Sequence, residues 1–261
     1  MAEEPAGPIR PTVTATLSAE PHLDIPTPRR VWGAWTSVGW TVLIFLAMLA
    51  TQAVTAISYA VAGMLANPKA DLSNLGNDGT LMAAATLLSL PVVLGLVALL
   101  ISVRGWRVGD YLALRPASRR ATVLAISGLI IWLASSDGLT LALKRPIVPP
   151  VMVEAITTAP LWLIALAVVI GAPTVEEVLF RGFLYRGLAE SRLGPGMAIG
   201  ITATAWAAMH LQYDLYGVAT VYLMGLYLGL VRHLTGSLSL TIILHGLANA
   251  VATAEAVLLS S

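Results

Sequence analysis

An all-α, polytopic bundle of about seven transmembrane helices is the fold this sequence predicts, and three observations predict it. The 261-residue chain is 57% hydrophobic and only 11% charged, whereas soluble domains carry roughly 25% charged residues. Its mean hydropathy is +0.81, more than a water-soluble core requires. The apolar residues come in runs near the ~20 residues that cross a bilayer, not in the ~10-residue alternating segments of barrel strands.

Taken in order, residues 1–30 are polar and rich in Pro, Thr and Ala, and include Glu3, Glu4, Glu20 and Asp24. They lack the basic and apolar regions of a cleavable signal peptide and read as a disordered tail in which His22 is solvated. Apolar runs follow at about 32–66, 80–103, 120–143, 159–190, 195–212, 215–233 and 238–259. The first and fourth exceed the bilayer, so they tilt or extend past it. Residues 67–79 form a polar connector. Residues 144–158, with Pro146, Pro149 and Pro150, read as a stiff extracytoplasmic link. That link divides an N-terminal helical part, 31–158, with few intramembrane polar groups, from a part at 159–261 that holds most of them. Trp32, Trp35, Trp40, Trp106 and Trp162 near the span ends read as interface anchors.

Orientation follows from Lys and Arg. Arg29 and Arg30 precede the first span, Arg104, Arg107, Arg115, Arg119 and Arg120 crowd the second loop, Arg181, Arg186 and Arg192 lie at the end of the fourth helix, and Arg232 ends the sixth. The opposite loops hold Lys69, Lys144 and Arg145. The N-terminus is therefore expected in the cytoplasm, and seven spans would put the C-terminus outside. The protein is expected in the plasma membrane. Its expected partners are the lipid bilayer and a protein or peptide, with no nucleic acid.

The chemistry concentrates after residue 159. Glu176 and Glu177 stand side by side in an apolar helix, Trp206 and His210 follow at i,i+4, and His245 and Asn249 repeat that spacing. Ionisable groups at membrane depth are costly and mark functional sites by default. Glu177 and Arg181 are one turn apart and suit an ion pair, while Glu176 points about 100° away and stays free to hold a water. Counted from the turn near Ser191–Gly196, Glu176 and His210 are each about 15 residues away, which gives both a similar depth in an antiparallel hairpin. His245 is about eight residues from the Gly236–Ser237 turn, so it reaches that depth only if the turn dips into the protein. His245 and Asn249 can supply oxyanion donors or help hold a metal. A buried salt bridge and interhelical hydrogen bonds would account for each pair taken alone. Asp137 reads as a packing or pairing residue, Glu255 as interfacial and His233 as solvated. Asp214, with Gln212 and Tyr213, lies in a turn, where turn chemistry explains it and an entrance is the other use. With no cysteine there is no disulfide, thiolate ligand or Cys nucleophile. The His-Glu-x-x-His, Gly-x-Ser-Gly and Gly-x-Gly-Asp signatures are missing as well.

The ordered set Glu176-Glu177-x-x-x-Arg181, Trp206-x-x-x-His210 and His245-x-x-x-Asn249 resembles the CPBP family. That family comprises CaaX prenyl endopeptidases and bacteriocin-processing or immunity proteins, also labelled Abi. The likeness covers about residues 160–250, and Trp206 stands where the family usually has Phe. The resemblance implies an intramembrane endopeptidase in which Glu176 and His210 activate water. It implies that His245 and Asn249 stabilise the oxyanion, and that Glu177 and Arg181 support the site. Both a metalloprotease and a metal-independent glutamic protease are argued for this family. The cofactor is therefore open between a divalent metal such as zinc, with Glu176, His210 and His245 as candidate ligands, and none. A peptide, a lipoprotein or a membrane-protein tail is as fitting a substrate as a prenylated CaaX protein. The competing reading is a non-catalytic membrane scaffold or immunity/regulatory protein. A proton-coupled transporter ranks lower, because no inverted repeat or pair of broken helices is visible.

Overall fold

The computed structural model describes residues 30–69 and 75–260. The expected disordered tail, apart from Arg30, lies outside the described residues, as does the middle of the 67–79 connector. Among the described residues the chain folds into helices without strands: α1 (Ala34–Ala66), α2 (Gly79–Val103), α3 (Val108–Leu112), α4 (Arg119–Ala142) and α5 (Pro150–Thr158). They are followed by α6 (Leu161–Ala189), α7 (Gly194–Ala207), α8 (Leu215–Thr235) and α9 (Leu238–Ser260). Short 3₁₀ turns occur at Leu75–Asn77 and Ala208–His210.

Local chemistry sets several boundaries. Asp78 caps α2 by accepting from the Leu81 amide at 2.8 Å, and Ser118 caps α4 by accepting from the Ala121 amide at 3.2 Å. Asp214 caps α8, and that helix ends on Gly236 at φ 61°, a left-handed C-terminal turn that glycine adopts without strain. The 144–158 link holds a helix that the prolines alone did not suggest. Pro150 opens α5 at its first position, where a missing N–H costs nothing.

Six helices are long and apolar enough to cross a membrane: α1, α2, α4, α6, α8 and α9. The predicted run at 195–212 is the exception. Its helix, α7, has 14 residues, roughly 21 Å, and breaks into the 3₁₀ turn at Ala208–His210. His210 Nδ1 turns back onto the Trp206 carbonyl at 3.0 Å, so the imidazole satisfies one of the carbonyls that the helix end exposes.

Helix α6 is the axis of the bundle. Half of its most apolar window is buried (50%), against 17%, 22% and 11% for α1, α2 and α4. It is not uniform: Leu166–Gly171 and Val178–Leu184 are π-helical, and the six-residue α-helical stretch Ala172–Glu177 lies between them. The core gathers around α6, with Phe183, Leu228, Leu238 and Leu244 fully buried beside it. Trp40 and Trp106 pack against this core rather than anchoring an interface, while Trp35 and Trp162 are largely exposed as expected. Helices α7 and α8 meet through small residues, and a Cβ on Gly225 would lie 3.1 Å from the Ala203 Cβ.

Candidate active site

The two glutamates, adjacent in sequence, occupy different surroundings. Glu177 is completely buried, and its Oε1 accepts from Arg181 Nη1 at 2.9 Å across one helical turn. Arg181 is equally buried, donates from Nη2 to the Gly225 carbonyl at 3.3 Å, and lies 4.4 Å over the Trp206 ring. The carbonyl of Arg181 in turn accepts from Arg232 Nε at 3.0 Å. Arg181 and Arg232 are therefore interior residues, which removes both from the rim charges counted in the sequence. The one-sided distribution survives without them.

Glu176 faces a cavity of about 800 Å³. Its Oε2 accepts a short hydrogen bond from Trp206 Nε1. Trp206 thus fixes the carboxylate with the indole N–H, a donor that phenylalanine lacks.

His245 joins the two glutamates. Its Nδ1 is 3.0 Å from Glu177 Oε1, and its Nε2 is 3.9 Å from Glu176 Oε2. The Glu177 carboxylate can only accept, so Nδ1 carries the proton and Nε2 is turned to the cavity. Arg181, Glu177 and His245 form one buried chain that ends beside Glu176. His245 reaches this depth because the α8–α9 turn is sunk into the protein. Ser237 is fully buried, Arg115 Nε donates to the Gly236 carbonyl at 2.9 Å, and the Leu238 amide donates to the Ala113 carbonyl at 3.0 Å.

His210 lines the same cavity. The Trp206 ring sits between the two imidazoles, with centroids 5.3 Å from His210 and 5.1 Å from His245, edge-on to both. Because the Trp206 carbonyl can only accept, Nδ1 of His210 is the protonated nitrogen and its Nε2 carries a lone pair. Asn249, on α9 one turn beyond His245, also lines the cavity and donates from Nδ2 to the Val168 carbonyl at 2.8 Å. That carbonyl belongs to the π-helical stretch, whose register is seen in the Ala172 amide bonding to Ala167. A Cβ on Gly246 would come within 2.8 Å of the Val169 carbonyl, so glycine permits the close approach of α9 to α6.

The six residues singled out by spacing therefore meet around one cavity or in the ion-pair chain directly behind it. As a metal centre the arrangement does not fit. No group of three or more His, Asp or Glu among the described residues is gathered to hold an ion. Of the candidate ligands, Glu176 Oε2 is taken by an N–H donor and His210 Nδ1 by a carbonyl.

Four polar residues at the cavity wall were not assigned to a site by the sequence. Tyr213 stacks on His210 with centroids 5.9 Å apart. Burial, and then the Glu176 carboxylate, push the Tyr213 phenol above its ordinary pKa, so it stays a neutral hydroxyl there. Asp137 and Glu255 are hydrogen-bonded to each other across α4 and α9, a contact that needs one proton between the two carboxyls. Asp214 keeps its capping role, accepting from the Gly217 amide at 2.9 Å, and also forms an ion pair with Arg145 across the cavity rim. The turn and pairing readings of Asp214 and Asp137 hold, while Glu255 is a cavity residue as well as an outer one. His233 is exposed, with Nδ1 3.1 Å from the Tyr185 hydroxyl.

Residues 158–251 match a family model described as Rce1-like, type II CAAX prenyl endopeptidase Rce1-like. The matched segment contains Glu176, Glu177, Arg181, His210, His245 and Asn249. It supports assignment of this chain to the CPBP/CAAX protease group and, with it, peptidase activity in general. No curated protein and no solved structure matches the chain significantly.

Proposed function

From the Rce1-like character of residues 158–251, we propose that this membrane protein is an endopeptidase that hydrolyses a peptide bond of a membrane-associated protein or peptide, with Glu176 as the general base. The observation that carries this reading is the disposition of His245: held at Nδ1 by a buried carboxylate, it leaves Nε2 3.9 Å from Glu176 Oε2 at the cavity wall.

In this reading a water beside Glu176 gives a proton to the carboxylate, with the His210 Nε2 lone pair as a second acceptor. Its oxygen attacks the carbonyl carbon, and the C=O electron pair moves onto oxygen. His245, when its ring holds a second proton, donates Nε2–H to that oxyanion. Glu177 is the counter-charge that stabilises the imidazolium and fixes its orientation. Asn249 has a second amide N–H, beyond the one donated to Val168, to offer the same oxygen. The C–N bond then breaks, and the proton held by Glu176 passes to the departing amine. The water-activating and oxyanion roles are those the family resemblance implies. The tautomers argued from the hydrogen bonds suit them, and the buried site strengthens each electrostatic term. Each step uses groups of this chain alone.

The test compares new protein N-termini in cells expressing the wild type, Glu176→Ala and His245→Ala at equal membrane levels. New termini should be present with the wild type and fall by about 10³-fold in either variant. Equal yields from all three would end the hydrolase reading. Trapping with Glu176→Gln then identifies the substrate.

A further inference from the structure

The cavity is open at one end only, and the charge pattern identifies that end. Its wall is built from the C-terminal end of α4, the 145–152 segment, the start of α2, the early part of α6, the 209–217 turn and the late part of α9. None of its lining residues comes from the 104–118 segment, the α6–α7 turn or the α8–α9 turn. In that second direction the site is closed by the Glu177–Arg181 pair and by fully buried Phe183, Leu228, Leu238 and Leu244.

The closed end is the arginine-rich one. Arg30 precedes α1, five arginines lie between α2 and α4, and Arg186 and Arg192 flank the α6–α7 turn. At the open end the described basic residues are Lys69, Lys144 and Arg145, and Arg145 is paired with Asp214. Short loops rich in Lys and Arg stay on the cytoplasmic side.

We infer that the reaction cavity opens to the extracytoplasmic side and takes an extended, largely apolar segment of a protein or peptide presented from there, not a lipidated tail held in the cytosol. This rests on the hydrolase reading for the nature of the substrate, but the direction of opening does not. The wall suits such a segment: Trp132, Leu133, Met209 and Met224 supply apolar surface. The Arg145–Asp214 pair and the Asp137–Glu255 pair supply polar groups around it. Arg145 also lies 4.8 Å over the Tyr216 ring, so the rim pair is tied to α8 and can be displaced by a substrate without unfolding either loop.

The chain has no cysteine, so single thiols report on sidedness without background. Pro146→Cys and Gln212→Cys mark the open end, and Leu114→Cys and Leu193→Cys the closed end, all exposed positions. A membrane-impermeant maleimide applied to intact cells should label the first two and reach the second two only after the membrane is permeabilised. The reverse pattern, or equal labelling of all four, overturns the proposal. Two positions at each end keep the result readable if one variant fails to fold. Mapping the Glu176-dependent N-termini onto substrate topology gives the second arm. Termini in extracytoplasmic or outer-leaflet segments support the proposal. Termini in cytosolic segments overturn it even though hydrolysis itself would stand. Absence of any Glu176-dependent terminus would overturn the hydrolase reading and the substrate assignment, while the labelling pattern would still decide the side.

Discussion

Helices α2 and α6 differ little in hydropathy and greatly in position. The most apolar window of α2 has mean hydropathy 2.5 and is 22% buried, whereas that of α6 has 2.0 and is 50% buried. In water the more apolar helix would sit deeper. In a bilayer lipid tails solvate leucine as well as a protein core does, so apolar character does not sort the inside from the outside. What sorts them is the side chain that lipid cannot satisfy. Glu176, Glu177 and Arg181 hold α6 at the centre, because their partners come from α7, α8 and α9. Helices α1 and α4 lack such groups facing the core and expose Leu43, Leu46, Ile130 and Ile131.

The sharpest way to break this comparison is to remove the charge that centres α6. Arg181→Ala leaves Glu177 buried without its counter-charge and should destabilise the protein by about 3–5 kcal/mol. Thermal unfolding in detergent, followed by tryptophan fluorescence, measures this. Replacing both partners, as Glu177→Leu with Arg181→Met, should recover most of the stability while cleavage stays lost, because His245 no longer has a carboxylate at Nδ1. A double variant as unstable as the single one would show that shape, not charge, holds α6.

A smaller effect is expected from glycines. Gly246→Ala puts a methyl against the Val169 carbonyl and should cost about 1–3 kcal/mol. Gly63→Ala, in α1, meets nothing within 4 Å and should leave stability unchanged or raise it by up to about 1 kcal/mol. The same unfolding assay applied to both tests whether tight backbone contact belongs to the C-terminal helices.

Trp206→Phe keeps the ring and removes the donor to Glu176. A charged hydrogen bond is worth about 1.5 kcal/mol, so cleavage should fall about tenfold with little change in stability. An unchanged rate would mean that the indole N–H does not position the carboxylate. The smallest effect is assigned to α4: Leu124→Ala, at a side chain 61% exposed, should change neither stability nor cleavage measurably.

These contrasts also mark what the sequence could convey. Apolar run length was sufficient for the long helices, since a span needs a fixed number of residues whatever it packs against. Helical spacing was sufficient for Glu177–Arg181, a contact within one helix. Equal distance from a shared turn brought out Glu176 and His210, although α7 ends earlier than its apolar run. The position of His245 was not legible, because it depends on a buried α8–α9 turn held by Arg115, which is more than a hundred residues away in the chain. Tyr213, Asp137 and Glu255 escaped for a similar reason: each gains its role from a neighbour on another helix, and nothing in its local spacing marks that neighbour. Arg232 was misread as a rim charge because a helix-terminal arginine looks the same whether it meets water or the carbonyl of Arg181.

The paired widenings of α6 carry a consequence for how the chain tolerates length changes. Each π-helical stretch lodges an extra residue without lengthening the helix by a full step, and the two lie on either side of Ala172–Glu177. Deleting one residue from Leu166–Gly171 would let the backbone relax to ordinary winding. It would also swing that segment by about 100° about its axis relative to what precedes it. The helix would remain and the hydropathy would barely change. The carboxylates would nonetheless lose phase with the Val168 carbonyl that anchors Asn249, leaving a well-formed span with its polar residues indexed to the wrong neighbours.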